Sequence, residues 1–276
     1  MKILKKIMTI IKEIIKYLKT LLLFLLGRAH KLELFINHRS IDLIRLGSNY
    51  GGKYLLNSRS LHNKIIVSAG VGEDISFDIE FLNEFGGKII LIDPTPRAKI
   101  HFEETIKRIG VTKTENYSNS GKQEISSYSM EKLNHNQFIY VDKALSNSEK
   151  ELKFYKPKDE NFVSHSIIEN QSNDFIKVKA DRLVNILDDL KINIKNIELI
   201  KLDIEGAETE VVVDMLFDNI CPNQILIEID RLGYRSKKSV KEVDRMYRIL
   251  NENGYKLKHR SNLEMLFVSK KLKWKK

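Results

Sequence analysis

The sequence is poor in the residues that build covalent or soft-metal frameworks. Its one cysteine, Cys221, can form no disulfide within the chain and no thiolate metal cluster, which suits a reducing compartment such as the cytoplasm. Four prolines and 13 glycines among 276 residues exclude collagen-like and proline-rich low-complexity chains. Long uncharged runs are also missing. The longest near the N-terminus, residues 20–27, falls far short of the roughly 20 apolar residues that a membrane span needs. It carries no small-residue cleavage site, which argues against a signal peptide. What is present is 42% hydrophobic residues, including 12 Phe and 10 Tyr, enough to bury the core of one α/β domain with an appendage.

The net charge of +10 suggests a nucleic-acid partner until it is located. Residues 1–31 hold eight basic groups against Glu13, and five more lysines follow from Lys270. The body between them is close to neutral, without the basic stripes and interleaved aromatics of a nucleic-acid surface, so none is expected as a partner. In the N-terminal segment Ile3, Ile7, Ile10, Ile14, Leu18, Leu21 and Leu25 recur at three- and four-residue steps, with Lys5, Lys12, Lys16 and Lys19 on the other side. That period predicts an amphipathic helix within 1–31. A lysine-rich polar face suits an anionic membrane, so the chain is expected to lie peripherally at its cytoplasmic face. The alternatives are an ordinary helix packed on the domain or on a neighbouring subunit, and an uncleaved signal anchor.

From residue 63 the pattern alternates strand and helix, the mark of a parallel sheet covered on both faces. Strands are predicted at 64–69, 88–93, 138–145, 152–155, 175–179, 197–202, 224–229 and 263–268. Helices are predicted at 74–85, 97–109, 182–190, 207–219 and 237–253. Residues 110–137 are polar with little periodicity. A loop of that length is functional or disordered, and a mobile lid is the expected role.

Three stretches carry chemistry. The first strand runs through Ser68 into the turn Gly70-Val71-Gly72 and on to Asp74; such a turn brings backbone N–H groups close to a ligand at a helix start. A dinucleotide fingerprint would need a third glycine where Ile75 stands, which speaks against NAD. Asp93 ends the second strand, 21 residues past Gly72, where an acid can hold both ribose hydroxyls of an adenosine; a helix cap before Pro94 is its structural alternative. The most informative stretch is Lys201-Leu202-Asp203-Ile204-Glu205-Gly206-Ala207-Glu208. Three carboxylates crowd a turn at a strand's carboxyl end, where open α/β sheets bind ligands and where mutual repulsion leaves little structural reason for them. Glu228 is a second acid at such a strand end, a candidate substrate contact.

The stretches 66–74, 91–96, 143–155 and 197–211 resemble the successive motifs of the FkbM family of methyltransferases, in order from about residue 60 to 270. The resemblance implies a Rossmann-like class I methyltransferase fold. Its mostly parallel sheet has seven strands, the last antiparallel, with helices on both faces. It implies S-adenosylmethionine as methyl donor and a hydroxyl acceptor, often on a sugar, glycan or glycolipid. By the same resemblance Gly70 and Gly72 lie against the methionine part of the donor, Asp93 holds its ribose, and Asp203 sits near sulfonium and acceptor. Ser68 stands where the family has an acid and Asp74 where it has a final glycine. Both remain with Val71 in the expected donor loop. Asp203 or Glu205 is expected to be the general base, the other orienting the acceptor or the donor's ammonium. A Mg²⁺ held by Asp203, Glu205 and Glu228 would suit an oxygen-rich site. The rival reading is an inactive membrane-associated module that binds the donor without turnover, which Ser68 and Asp74 favour and the intact acidic turn disfavours.

Overall fold

The computed structural model describes residues 2–35, 37, 42–155, 175–234 and 236–272. In chain order the strands are β1 (Leu43–Leu46), β2 (Lys53–Leu56), β3 (Ile65–Ala69), β4 (Lys88–Ile92), β5 (Phe138–Val141), β6 (Ala144–Leu145), β7 (Lys150–Tyr155), β8 (Phe175–Asp181), β9 (Ile197–Leu202), β10 (Gln224–Glu228), β11 (Tyr255–Ser261) and β12 (Glu264–Ser269). The helices are α1 (Lys2–Leu25), α2 (Ser76–Phe85), α3 (Pro96–Ile106), α4 (Leu183–Asp189), α5 (Glu208–Phe217) and α6 (Lys237–Glu252).

Seven strands form the main sheet in the order β11-β12-β10-β9-β3-β4-β5. Neighbours from β10 through β9, β3 and β4 to β5 run parallel, and β12 is antiparallel to β10 and β11. This is the mostly parallel seven-stranded α/β sheet that the motifs imply. Successive side chains of a strand face opposite sides, so each strand feeds two cores. Val67, Ala69, Ile90, Ile92, Ile200 and Leu202 join the core on the α4–α6 side. Ile66, Ile89, Leu91 and Leu199 join the core containing Phe77, Phe81 and Phe85 of α2. Burying each such side chain contributes roughly 1.5–3 kcal/mol, which fixes the register.

The strand order reverses between β3 and β9. Chains leave that point in opposite directions, so a crevice opens beyond their carboxyl ends. Gly70 N–H donates to Ile92 O at 3.0 Å and Asp203 N–H to Ala69 O at 3.1 Å, bringing three loops to one place.

The structure differs from expectation in three places. The strand expected over 138–145 is two. β5 stays paired with β4 only to Val141, opposite Ile92, beyond which β4 runs into Asp93 and Pro94. The chain then turns and β6 joins β8 and β7 in a separate three-stranded sheet, anchored by Lys143 on Asp181 at 2.8 Å. Strand β11 was hidden by its charges (Lys256, Lys258, Arg260), which suit an edge strand because they discourage further pairing. Finally, β1 and β2 form an antiparallel hairpin in a stretch that gave no expected element.

Helix α1 is exposed along most of its length and touches the body through Lys16, whose ammonium donates to Asn262 Oδ1 at 3.2 Å. Ile7, Ile10, Ile14, Leu18 and Leu22 are all exposed, and Leu25 is 73% exposed. Ala29 and His30 are buried, so the separable segment stops before them. Among the described residues no helix is long and apolar enough to cross a membrane. Residues 110–137 lack regular strands, but Tyr128, Met130 and Leu133 are core residues. The Tyr128 hydroxyl meets His101 Nε2 at 2.8 Å and accepts from Ile75 N–H at 3.2 Å.

Candidate active site

A cavity of about 310 Å³ lies at the reversal point, within the range of small-ligand sites. Gly70, Val71, Gly72, Asp74, Asp93, Asp203, Glu205 and Glu228 all line it. Ser68 does not. It is fully buried within β3, and the alternation of that strand turns it toward α2, beside Asp78. Burial, against the opposing pull of Lys201, pushes Asp78 up to about 6.

Two glycines shape the loop differently. Gly70 has φ 72°, and a Cβ there would stand 1.6 Å from the Asp203 carbonyl oxygen. Gly72 has φ 55°, yet a Cβ there would meet nothing within 4 Å. The first lets β3 and β9 converge; the second leaves a backbone edge facing space that a ligand can fill.

Asp93 braces this loop. One carboxylate oxygen accepts from Val71 N–H at 3.0 Å and Gly72 N–H at 3.1 Å. The other accepts from Thr95 N–H at 2.8 Å and the Thr95 hydroxyl at 2.6 Å. Asp74 is a second hub. It accepts from Ser76 N–H at the start of α2, from the Ser48 hydroxyl at 2.6 Å and from Gln123 at 3.2 Å. Asp74 therefore ties the β1–β2 turn and segment 118–123 to the loop. Asp93→Ala should lower stability by about 1–3 kcal/mol through orphaned N–H groups. A thermal melt of the variant checks this: an unchanged melting temperature would remove Asp93 as a brace.

The acidic side is organised by a residue that sequence reasoning missed. Lys53 of β2 is 5% exposed and its Nζ lies 3.3 Å from Asp203, 3.1 Å from Glu228 and 2.5 Å from Glu264. Burial works against its charge, but Asp203, Glu228 and Glu264 outweigh burial and hold the ammonium above its ordinary pKa. Lys201, within the acidic motif, donates to Gly70 O at 2.8 Å. Burial likewise opposes ionisation of Asp203, and Lys53 and Lys201 reverse that, keeping its carboxyl below the usual range. The charge on Asp203, and then burial, pushes Glu228 up to about 7. Glu205 occupies the tip of the turn with φ 53°, a left-handed conformation unusual for a non-glycine residue and typical of functional sites.

A metal held by Asp203, Glu205 and Glu228 does not fit this arrangement. The Lys53 ammonium already sits against Asp203 and Glu228, and among the described residues no group of three or more His, Cys, Asp or Glu side chains is arranged to hold an ion.

Deeper acids complete the cluster. Burial pushes Glu208 up to about 8 and Asp230 up to about 9, with neighbouring carboxylates adding to it. Glu208, Asp230 and Glu228 therefore keep protons in the folded state that the unfolded chain releases above about pH 4.5. Their stabilisation is complete below that pH and is lost as pH rises through 7 to 9. Stability, followed as melting temperature, should fall from about pH 4.5 up to those folded values, by at most about 1.4 kcal/mol of free energy per pH unit per group. Glu208→Gln, which keeps an acceptor for Gly206 N–H, should flatten the fall; a melting profile as steep as the wild type's would remove Glu208 from it.

The chain matches the Methyltransferase FkbM domain over residues 57–257, most of its length. It belongs to the FkbM methyltransferase family. None of the curated proteins matches it. The family domain contains every expected site residue, but begins after the hairpin that carries Lys53.

Proposed function

We propose that this FkbM-family protein transfers a methyl group from S-adenosylmethionine to a hydroxyl of a sugar, glycan or glycolipid. The observation that carries the reading is convergence: the Gly70–Gly72 turn, Asp93 and the Asp203–Glu205 turn meet around one cavity. The residues fit the donor. Gly72 leaves open space beside the braced turn, and Asp93 and Thr95 line the end toward β4, where a ribose would lie. Bound there, the donor supplies a methyl carbon activated by a sulfonium and leaves as S-adenosylhomocysteine.

The chain's own work is alignment and proton handling. Asp203, kept ionised by two lysines, offers a fixed negative charge to the cationic part of the donor. The acceptor oxygen would take the methyl group, and the carbon–sulfur electron pair would stay with the donor's sulfur. The hydroxyl proton passes to a carboxylate, for which Glu205 is our choice on position. The acid-rich wall disfavours a phosphate or carboxylate beside the reacting hydroxyl. Incubation with methyl-labelled donor and candidate glycans, followed by mass spectrometry, tests the reaction class. Alkali-stable methyl ether is the expected product. Base-labile ester or methylamine would redirect the assignment, and donor binding without any product would favour the inactive binding module.

Helix α1 supports a place at an anionic membrane surface, with exposed apolar side chains near Lys6, Lys12, Lys16 and Lys19. Deleting residues 1–26 should release the protein from phosphatidylserine vesicles and leave its melting temperature unchanged. Aggregation or unfolding of the shortened chain would instead assign the helix to packing. Segment 110–137 reaches the cavity through Gly121, and we assign it the role of cover over the acceptor side.

A further inference from the structure

The β1–β2 hairpin precedes the matched family domain, yet it is fastened into the site at both ends. At β2, Leu56 N–H donates to Gln224 Oε1 at 2.8 Å, while Gln224 Nε2 donates back to Leu56 O at 2.9 Å. At the turn, the Ser48 hydroxyl donates to Asp74, and Tyr50 and Gly51 reach the cavity wall. Between these anchors Lys53 takes an inward position of the strand, where Leu55 packs in the core. An ammonium so nearly removed from water is costly, and a well-packed apolar side chain would serve a purely structural hairpin at least as well. Its three carboxylate contacts come from three different strand ends: Asp203 after β9, Glu228 on β10 and Glu264 on β12.

We infer that the hairpin is a working part of the methyl-transfer site, with Lys53 as the positioning residue that orients Asp203 and Glu228 and fixes the charge they present to the reacting groups. The inference rests on the methyltransferase reading and deepens it. The family domain supplies Asp203 and Glu228; the preceding hairpin supplies the cation that lets them stand together. Without it, Asp203 and Glu228 repel each other at contact distance, and one must take up a proton or turn away.

The charge on Glu228 is the readable consequence. Facing it are Lys201 on β9 and Asp203 just after it, Lys53 and Tyr50 from the hairpin and Glu264 from β12. Glu205, Asp230 and His259 stand farther round the same cluster. Of these, Lys53 is the cation in contact with Glu228. Removing it should shift the Glu228 titration upward by about 1–3 pH units, the usual effect of one close opposite charge.

The experiment uses the full chain as wild type, Lys53→Met, Lys53→Arg and Glu264→Gln. Two pH profiles are recorded: the carboxyl carbon shift of Glu228 in ¹³C-labelled protein, and calorimetric affinity for S-adenosylmethionine. Wild type should show a midpoint near 7 in both, since a cationic donor binds better to the ionised site. Lys53→Met should move both midpoints up by about 1–3 units and Lys53→Arg should restore them. Glu264→Gln should move them down, because it withdraws a negative charge from Glu228 and leaves Lys53 in place. Unmoved midpoints in folded Lys53→Met, with only a lower melting temperature, would overturn the inference, as would a folded Lys53→Arg that fails to restore them. If Lys53→Met does not fold, Glu264→Gln decides: an unmoved midpoint there overturns the inference too. If wild type binds no donor, the methyltransferase reading fails, and the carbon titration still judges Lys53 separately.

Discussion

Gly70→Ala should unfold the domain, whereas Gly72→Ala should leave it folded and abolish donor binding. Both residues have positive φ, so each alanine meets left-handed strain of about 1–2 kcal/mol. The surroundings separate them. At position 70 the new methyl would lie 1.6 Å from Asp203 O and 2.6 Å from its carbonyl carbon. Backbone cannot swing aside as a flexible side chain can. To make room, β3 and β9 must part, breaking the bond from Asp203 N–H to Ala69 O at the centre of the main sheet. The loss should be on the order of 4 kcal/mol or more, enough to remove much of a domain's stability. At position 72 the methyl enters open space in the cavity, so the fold survives while the donor's place is narrowed. Thermal melts of the two variants, with donor titrations of the one that folds, read both effects. Equal stability would mean that the close approach of Gly70 to Asp203 is not what closes the site.

The second large effect is expected in turnover. Glu205→Gln should lower kcat by about 10²–10⁴-fold, the worth of a positioned proton acceptor, with little change in donor affinity. Asp203→Asn should chiefly weaken donor binding. Its charge is held by Lys53 and Lys201, and a carboxylate pushed below its ordinary pKa is a reluctant base but a dependable anion. Raising the pH should not rescue Glu205→Gln, because an amide accepts no proton at any accessible pH. Should both variants turn over normally while Glu228→Gln does not, the base is Glu228, whose value of about 7 suits proton transfer at neutral pH.

Much of the fold was legible because buried parallel strands read as apolar runs with sharp ends. Ile197–Leu202 was expected with both of its boundaries, and the helix over 237–253 nearly so. The cavity-lining glycines and acids were legible for a related reason: they sit where such runs stop. Lys53 gave no such signal. It is one basic residue among 47 Lys and Arg, in a four-residue strand, and its meaning depends on carboxylates 150 to 211 positions away. The Gly51-Gly52 pair between two short apolar stretches was the available hint of a hairpin. Ser68 shows the opposite error. Motif position placed it at the ligand, but strand alternation turns it to the other face of the sheet. The division of 138–145 was also beyond the sequence, since it follows from where the neighbouring strand β4 ends.

The central claim is that the cavity between β3 and β9 receives the methyl donor. Its most direct measurement is a calorimetric titration of the full-length protein with S-adenosylmethionine and S-adenosylhomocysteine, repeated on Gly72→Ala. The account predicts one site per chain for each compound, with micromolar affinity at about −8 kcal/mol, lost in the folded variant. Absence of binding to wild type by either compound, or equal binding by Gly72→Ala, would contradict it.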